Sequence, residues 1–198
     1  MLYNGLSIGL LAGSFNPAHS GHMHVAQCGL TRLGLDQIWW IVSPQNPLKP
    51  AQPAYEKRVE TVRRLSLPYA MRVSHIERDF KTHYTIDTLK QARKRWPQTR
   101  FVFLMGADNF LQLPKWRNWQ EIVNTVPIAI ISRPGKNMRD NIRPRLGRVA
   151  RQFSTARLAE EDATLLAFKS APAWTYLSPP LNPLSSTAIR AKNKSRYS

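Results

Sequence analysis

Residues 6–22 read LSIGLLAGSFNPAHSGH. The first half of this stretch, Leu6 to Ala12, is a short apolar run that predicts a buried strand. The turn-forming residues from Gly13 to Gly21 follow it, and apolar residues at helical spacing begin near His22 and continue to about Leu33. The chain is therefore expected to open with a strand, a loop and a helix.

The same alternation of strands and helices continues along the chain. Further strands are predicted at Gln37 to Ser43, Met71 to Ile76, Phe101 to Met105, Ile128 to Ser132 and Ala173 to Leu177. Helices are predicted at Tyr55 to Leu67, at Thr85 to Trp96 with a threonine cap, and around Thr187 to Lys192. This order predicts an α/β fold in a single domain over residues 1–198, with a doubly wound parallel sheet covered by helices on both faces. Functional residues are then expected directly after strands.

Two stretches interrupt the alternation. The loop after the second strand contains Pro44, Pro47, Pro50 and Pro53, and we expect it to cross a surface. Residues 133–171 are basic, proline-interrupted and weakly periodic, so they form either an insertion with one or two helices or a flexible excursion. Residues 183–198 are expected to form a loop that leads into the last helix.

Composition limits the class of protein. The sequence has no apolar run of the roughly 20 residues that a membrane-spanning helix needs, and its start lacks the features of a signal peptide, so we expect a cytoplasmic protein without a membrane partner. The single cysteine, Cys28, excludes an internal disulfide. The formal net charge of +17 predicts attraction to polyanions, whether nucleic acid or nucleotides, although part of it could be only a solvated face.

The loop after the first strand is suited to phosphate. Glycines allow close approach of the backbone, and a helix that begins near Gly21 would direct free N–H groups and its positive dipole end at an anion. His19 and His22 bracket that helix start and could donate hydrogen bonds to oxygens on which charge grows during reaction. Two alternatives are ordinary surface or capping histidines, and a metal site of His19, His22 and His24, for which no carboxylate or cysteine is expected nearby.

The stretch GSFNPAHSGH at residues 13–22 resembles the signature G-(S/T)-F-(D/N)-P-x-H-x-G-H of the nicotinate-nucleotide adenylyltransferase family. Three further stretches agree with that family in order and spacing: MGADN at 105–109 with LPKW at 113–116, SRPG at 132–135, and SSTAIR at 185–190. The four elements cover nearly the whole chain, whereas H-x-G-H by itself indicates only the wider nucleotidyltransferase superfamily. The resemblance implies a Rossmann-like fold of the nucleotidyltransferase type.

The resemblance also implies an ATP site with His19 and His22 as catalytic residues that contact the phosphates. Ser186, Thr187 and Arg190 would hold the phosphates from the start of the last helix, although a plain helix cap is the alternative for the two hydroxyls. Arg133, after a strand, would add a phosphate contact. The complete predicted ATP site is Gly13, Ser14, Phe15, His19, His22, Gly106, Asp108, Arg133, Ser186, Thr187 and Arg190.

The predicted mononucleotide site uses other loops. Asp108 follows a strand, where a carboxylate can accept hydrogen bonds from ribose hydroxyls. By resemblance, Trp116 would stack on the pyridine ring, although its pattern and that of Trp119 are typical of core residues. The remaining assignments are also by resemblance: backbone N–H groups near Thr85 and Arg117 for the nicotinate carboxylate, and Asn46 and Lys49 for the phosphate.

The implied reaction transfers the adenylyl group of ATP to nicotinate mononucleotide, with Mg²⁺ arriving with ATP and no metal site built from protein ligands. The partners are then ATP and nicotinate mononucleotide, and the sequence does not decide whether the protein forms a homo-oligomer. One alternative is a different acceptor, such as nicotinamide mononucleotide. The other is a basic nucleic-acid-binding protein, which would leave the two histidines of the loop unexplained.

Overall fold

The computed structural model describes residues 3–44, 52–132 and 147–178. Its strands are β1 (Ser7–Gly13), β2 (Gln37–Val42), β3 (Met71–Ser74), β4 (Arg100–Gly106), β5 (Ile128–Ile131), β6 (Arg157–Leu158) and β7 (Trp174–Leu177). Its α-helices are α1 (Ser20–Arg32), α2 (Tyr55–Arg63), α3 (Ile76–Asp79), α4 (Thr85–Arg95), α5 (Ala107–Gln112), α6 (Trp119–Thr125) and α7 (Arg148–Gln152). Short 3₁₀ turns lie at Leu113–Lys115, Ser154–Ala156 and Ala163–Phe168.

The strands form one sheet in the order β3-β2-β1-β4-β5-β7-β6, and every neighbouring pair is parallel. The chain runs outward from β1 to β3 and returns to place β4 on the other side of β1. It then continues through β5 to the edge strand β6, and β7 fills the position between β5 and β6. The strand order therefore reverses between β1 and β4, where Leu11 pairs with Leu104. The predicted doubly wound parallel sheet is confirmed, and the crevice of such a sheet opens at the carboxyl ends of these two strands.

Hydrophobic cores lie on both faces of the sheet because successive side chains of each strand point to opposite sides. One core packs Leu10, Phe103 and Ile130 against α4, α5, α6 and α7. The other packs Leu11 and Leu104 against α1, α2 and the 3₁₀ turn Ala163–Phe168. The helices on both faces were predicted from the alternation of elements.

Two glycines bring α1 unusually close to the sheet. A Cβ atom on Gly9 of β1 would lie 2.7 Å from Ile38 Cδ1, and one on Gly29 of α1 would lie 2.8 Å from Leu104 Cδ1. Real Cβ atoms do not approach carbon this closely, so a larger residue at either position would force the ends of the Ile38 and Leu104 side chains to move within the core. This packing sets the distance of α1 from β1 and β4, and so the place of the histidines at its amino end.

Three predicted boundaries are wrong. Helix α2 ends at Arg63 rather than Leu67, because the chain turns back toward β3 through Ser66, whose φ is 52°. Strand β3 ends at Ser74, and Ile76 begins α3, from which it enters the core. Thr85 is the first residue of α4 rather than its cap, since the N-cap is Tyr84, which makes no side-chain capping bond.

The described part of the basic segment is built into the fold. Residues 147–171 form α7, two 3₁₀ turns and β6, whose Arg157 pairs with Trp174 of β7 at the edge of the sheet. Leu166 is fully buried in the core beside α1. Neither predicted alternative included a strand, and a flexible excursion is wrong for these residues because they bury apolar side chains. Residues 133–146 lie outside the described residues.

Across residues 3–44, 52–132 and 147–178, no helix has the length and apolar character needed to cross a bilayer. The cytoplasmic location, the single domain and a homo-oligomer stay predictions. Residues 183–198, with the predicted last helix, lie outside the described residues.

Candidate active site

The loops after β1 and β4 meet at the reversal of strand order. Gly13 ends β1, and the loop from Ser14 to His19 leads into α1. Gly106 ends β4 and is the N-cap of α5, and Asp108 lies exposed in the first turn of that helix. The sheet thus places the histidine loop and Asp108 at the carboxyl ends of adjacent strands, as the sequence predicts.

His19 and His22 hold each other through a reciprocal cap of α1. The N–H of Gly21 donates to His19 Nδ1 at 3.0 Å, and the N–H of His19 donates to His22 Nδ1 at 3.3 Å. The centroids of the two rings lie 3.9 Å apart. Each ring is therefore oriented by a backbone hydrogen bond rather than by packing only.

This cap determines which ring nitrogen can donate. Because Nδ1 accepts in both residues, the hydrogen of each neutral ring resides on Nε2. His19 is only 4% exposed, whereas His22 is partly exposed. The capping interpretation and the phosphate-binding interpretation are thus compatible. Free N–H groups were expected at this helix start, but the N–H of Gly21 is bonded to His19. In this tautomer the hydrogen-bond donor of each ring is its Nε2–H.

Phe15 packs against the ring of His22. The Phe15 ring lies edge-on to the His22 ring, with centroids 5.0 Å apart. It also packs against Trp40, with ring centroids 5.3 Å apart. Its φ of 45° is a left-handed conformation that a bulky residue adopts only under constraint. A Cβ atom on Gly13 would lie 3.3 Å from the Phe15 ring, so a side chain at this position would press on that ring. The Phe15 side chain is 2% exposed, so a contact with ATP would use its backbone.

Helix α2 braces the same loop. Arg58 is 1% exposed and donates to the backbone carbonyls of Ser14 and Ser43 at 2.8 and 2.7 Å. The Ser14 hydroxyl accepts from Gln52 Nε2 at 3.1 Å. Arg58 was not among the residues predicted for the site. Its sequence position could have indicated burial, because Arg58 lies one turn before Val62 and therefore on the apolar face of α2.

Glu77 was also missed and lies beside the carboxyl end of β2. Its side chain is 4% exposed, and burial raises the pKa of the carboxyl from 4.5 to about 7. Side-chain hydrogen bonds with Ser43 and Thr88 oppose this shift by favouring the charged form. Glu77 thus joins the end of β2 to α4. No local pattern marked it, because its neighbours come from distant parts of the chain.

A second group of predicted residues meets at the start of α4. The Arg117 guanidinium lies 4.5 Å above the ring of Tyr84, which directly precedes Thr85. Among the described residues, neither the N–H of Thr85 nor that of Arg117 has an acceptor. Trp116 is partly exposed and lies edge-on to Phe103, with centroids 6.3 Å apart. Trp119 is 6% exposed and belongs to the core.

Six predicted site residues lie outside the described residues: Asn46, Lys49, Arg133, Ser186, Thr187 and Arg190.

The alternative of a metal site at the histidines needs further ligands close to the two rings. Within the three described ranges, no group of three or more His, Cys, Asp and Glu side chains is placed to hold an ion. The expectation that no cysteine lies near His24 is wrong, because Cys28 Sγ is 3.8 Å from His24 Nε2, one turn along α1. This pair supplies two ligand atoms, fewer than a closed metal site needs.

Comparison with known proteins places this chain among nucleotidyltransferases. The family described as cytidylyltransferase-like matches residues 10–192. A probable nicotinate-nucleotide adenylyltransferase of Parvibaculum lavamentivorans is 44% identical over 194 residues, which cover 97% of this chain and 94% of that protein. A protein of the same description from Ruegeria sp. strain TM1040 is 43% identical over 188 residues, covering 94% of this chain and 97% of the relative.

Solved structures agree on the fold. Nicotinic acid mononucleotide adenylyltransferase of Plasmodium falciparum, complexed with NaAD, superposes with a TM-score of 0.68 at 16% identity and covers 94% of this chain and 83% of that one. The same protein complexed with APC has a TM-score of 0.66 over the same shares. At this identity the likeness shows the fold, and the predicted nucleotidyltransferase type of Rossmann-like fold is confirmed.

Proposed function

Because the chain belongs to the nicotinate-nucleotide adenylyltransferase family, we propose that it transfers the adenylyl group of ATP to nicotinate mononucleotide. The products are nicotinate adenine dinucleotide and pyrophosphate, in a step of NAD biosynthesis. The observation that carries the proposal is the reciprocal cap of His19 and His22, which orients both rings at the start of α1, directly after the loop that follows β1 and beside the carboxyl end of β4.

The chemistry is an in-line displacement at the α-phosphorus of ATP. An oxygen of the mononucleotide phosphate forms the new P–O bond, and the bond to the bridging oxygen of the β-phosphate breaks, releasing pyrophosphate. A phosphate monoester has a second pKa of about 6 and is largely ionised at neutral pH, so the nucleophile needs no general base. The Nε2–H groups of His19 and His22 would donate to phosphate oxygens as their charge grows.

The group at the start of α4 supports nicotinate as the acceptor. The unused N–H groups of Thr85 and Arg117 offer two backbone donors to a carboxylate, and the Arg117 guanidinium adds positive charge beside them. The partly exposed face of Trp116 suits an aromatic ring of pyridine size. A nicotinamide ring lacks the negative charge that this arrangement favours.

We propose that Mg²⁺ enters the site on ATP, held mainly by phosphate oxygens and water. The oxygen-rich triphosphate suits this ion better than the described side chains near the histidines, which lack a carboxylate cluster. When bound, Mg²⁺ would neutralise part of the phosphate charge.

The proposed function is tested by incubating the protein with ATP, Mg²⁺ and either nicotinate or nicotinamide mononucleotide. Pyrophosphate and dinucleotide are both quantified. We expect turnover of both substrates with a clear preference for the nicotinate form. A preference for another acceptor would contradict nicotinate mononucleotide as the substrate but would still support adenylyl transfer from ATP. Absence of turnover with every acceptor, together with tight and salt-sensitive RNA binding, would favour the nucleic-acid-binding alternative.

Replacing Trp116 with alanine tests the acceptor site. Loss of ring stacking should raise the KM for nicotinate mononucleotide by about 10- to 100-fold, since aromatic stacking on a base is worth about 1–3 kcal/mol. The KM for ATP should change little. Steady-state kinetics with each substrate varied in turn measure both values. Trp116→Phe is the matched control and should retain most of the affinity, and an unchanged KM in Trp116→Ala would remove Trp116 from the acceptor site.

A further inference from the structure

Arg58 is a buried cation held by backbone carbonyls. Its guanidinium forms no ion pair with a described residue, and it donates to four carbonyl oxygens. Nε donates to Pro53 at 2.9 Å, Nη1 to Ser14 and Ser43 at 2.8 and 2.7 Å, and Nη2 to Pro44 at 2.6 Å. The planar fork of arginine carries five N–H donors spread over three nitrogens, whereas the three donors of a lysine all lie on one nitrogen and cannot reach four separated carbonyls.

Three of the four acceptors of Arg58 belong to two neighbouring strand ends, and the fourth, Pro53, lies just before α2. Ser14 follows β1 in the histidine loop, whereas Ser43 and Pro44 follow β2. Burial lowers the pKa of the Arg58 guanidinium, because the charged form is penalised when water is removed. If this position served only to fill space, an apolar side chain of similar volume would do so without that penalty. The hydrogen bonds of Arg58 instead connect the loop after β1 with the loop after β2.

Thr61, one turn further along α2, contacts the same loop after β1. The N–H of Ala18 donates to Thr61 Oγ1 at 3.0 Å. The Thr61 hydroxyl donates to the carbonyl of Arg58 at 2.7 Å, and its oxygen also lies 3.3 Å from the carbonyl oxygen of Phe15. Arg58 and Thr61 thus contact the loop at Ser14, Phe15 and Ala18. Ala18 directly precedes His19, and the loop is held along most of its length between β1 and the histidine cap.

We infer that Arg58 and Thr61 are positioning residues for adenylyl transfer, through which α2 holds the loop after β1 and so places His19 and His22 against the ATP phosphates. The inference rests on the proposed function. Neither residue touches the reacting atoms. A catalytic group misplaced by about 1 Å can reduce a rate by about 100-fold, so the brace should affect turnover more than substrate binding.

Arg58→Lys keeps the positive charge but cannot span four carbonyls. We expect kcat to fall by about 100-fold while the KM for ATP changes by less than about threefold, because the variant misaligns the loop without removing ATP-binding groups. Thr61→Val keeps the size of the side chain and removes the acceptor for Ala18, and its kcat should fall by about 10-fold. Arg63→Lys, on the exposed face of the same helix, is the matched control and should behave as wild type.

Circular dichroism and thermal unfolding are measured beside the kinetics. A purely structural role predicts a lower Tm with an unchanged kcat per folded molecule, and that result would overturn the inference. If Arg58→Lys does not fold, the inference is tested with Thr61→Val. A kcat of Thr61→Val within about twofold of the wild-type value would overturn the inference. Absence of dinucleotide formation by the wild-type protein would instead refute the proposed function, and the positioning role with it.

Discussion

We expect His22→Ala to lower kcat for adenylyl transfer by about 100- to 1,000-fold, the loss typical of one donor to a developing charge. The KM for ATP should change far less, because the hydrogen bond to phosphate strengthens as charge builds in the transition state. The ring that is removed contacts Phe15 and lies 3.9 Å from the His19 ring, centroid to centroid, so some loss of order at the helix start is also expected. Steady-state kinetics with ATP as the varied substrate measure both constants.

His22→Asn separates catalysis from capping. The side-chain oxygen of asparagine can accept from the N–H of His19 as Nδ1 does, but no donor then stands where Nε2–H was. The variant should keep the Tm of the wild type and lose kcat as His22→Ala does. His24→Ala, two residues along the same helix, is the matched control. Near-normal turnover in His22→Asn would show that the cap, and not the Nε2–H donor, is the contribution of His22.

Glu77→Gln should increase stability above neutral pH. Burial raises the pKa of Glu77 from 4.5 to about 7, so between these values the folded protein retains a proton that the unfolded chain has released. The free energy of unfolding of the wild type therefore falls as pH rises through this window. One pKa unit corresponds to about 1.4 kcal/mol, and the contribution of this group over the window is roughly 3 kcal/mol.

Glutamine keeps the size and hydrogen-bonding capacity of the protonated acid but cannot ionise. We expect Glu77→Gln to be more stable than wild type at pH 8, and the difference to shrink as pH falls toward 5. His75 acts with the opposite sign, because burial lowers its pKa, and comparison with the wild type cancels that effect. Urea unfolding at several pH values measures the difference. Glu60→Gln, at a half-exposed position, is the control, and parallel pH curves for Glu77→Gln and wild type would contradict the prediction.

Six of the seven strands, helices α1, α2 and α4, and the histidine loop could be predicted because their signals are local, whereas α3, α6 and β6 were not predicted. A short apolar run such as Leu6 to Ala12, followed by glycine, proline and helical spacing, specifies strand, loop and helix within one stretch of chain. Parallel pairing then follows from the alternation of elements, and it brings the ends of β1 and β4 together. The errors at Leu67, Ile76 and Thr85 lie at element ends, where packing rather than periodicity decides which residue is last.

The family signature also lies in short stretches, and it predicted residues that the fold brings into adjacent loops, such as Thr85 and Arg117. It could not reveal the supports of the site. Arg58 binds the carbonyl of Ser14 across 44 positions in the chain, and the buried Glu77 bonds to Ser43, after β2, and to Thr88 of α4. A charged residue in a helix is ordinarily exposed, so its sequence context predicts a solvated side chain.

The sequence by itself determined the alternation of the main strands and helices, the parallel sheet and the phosphate-type loop with its two histidines. The tertiary structure decided the ring nitrogen that each histidine turns to the backbone, the left-handed conformation of Phe15, the brace from α2 and the edge strand β6. The physical reason is the range of the interactions. Periodicity and turn preference act over a few residues, whereas burial, desolvation and side-chain bonds to backbone carbonyls depend on groups that only folding brings together.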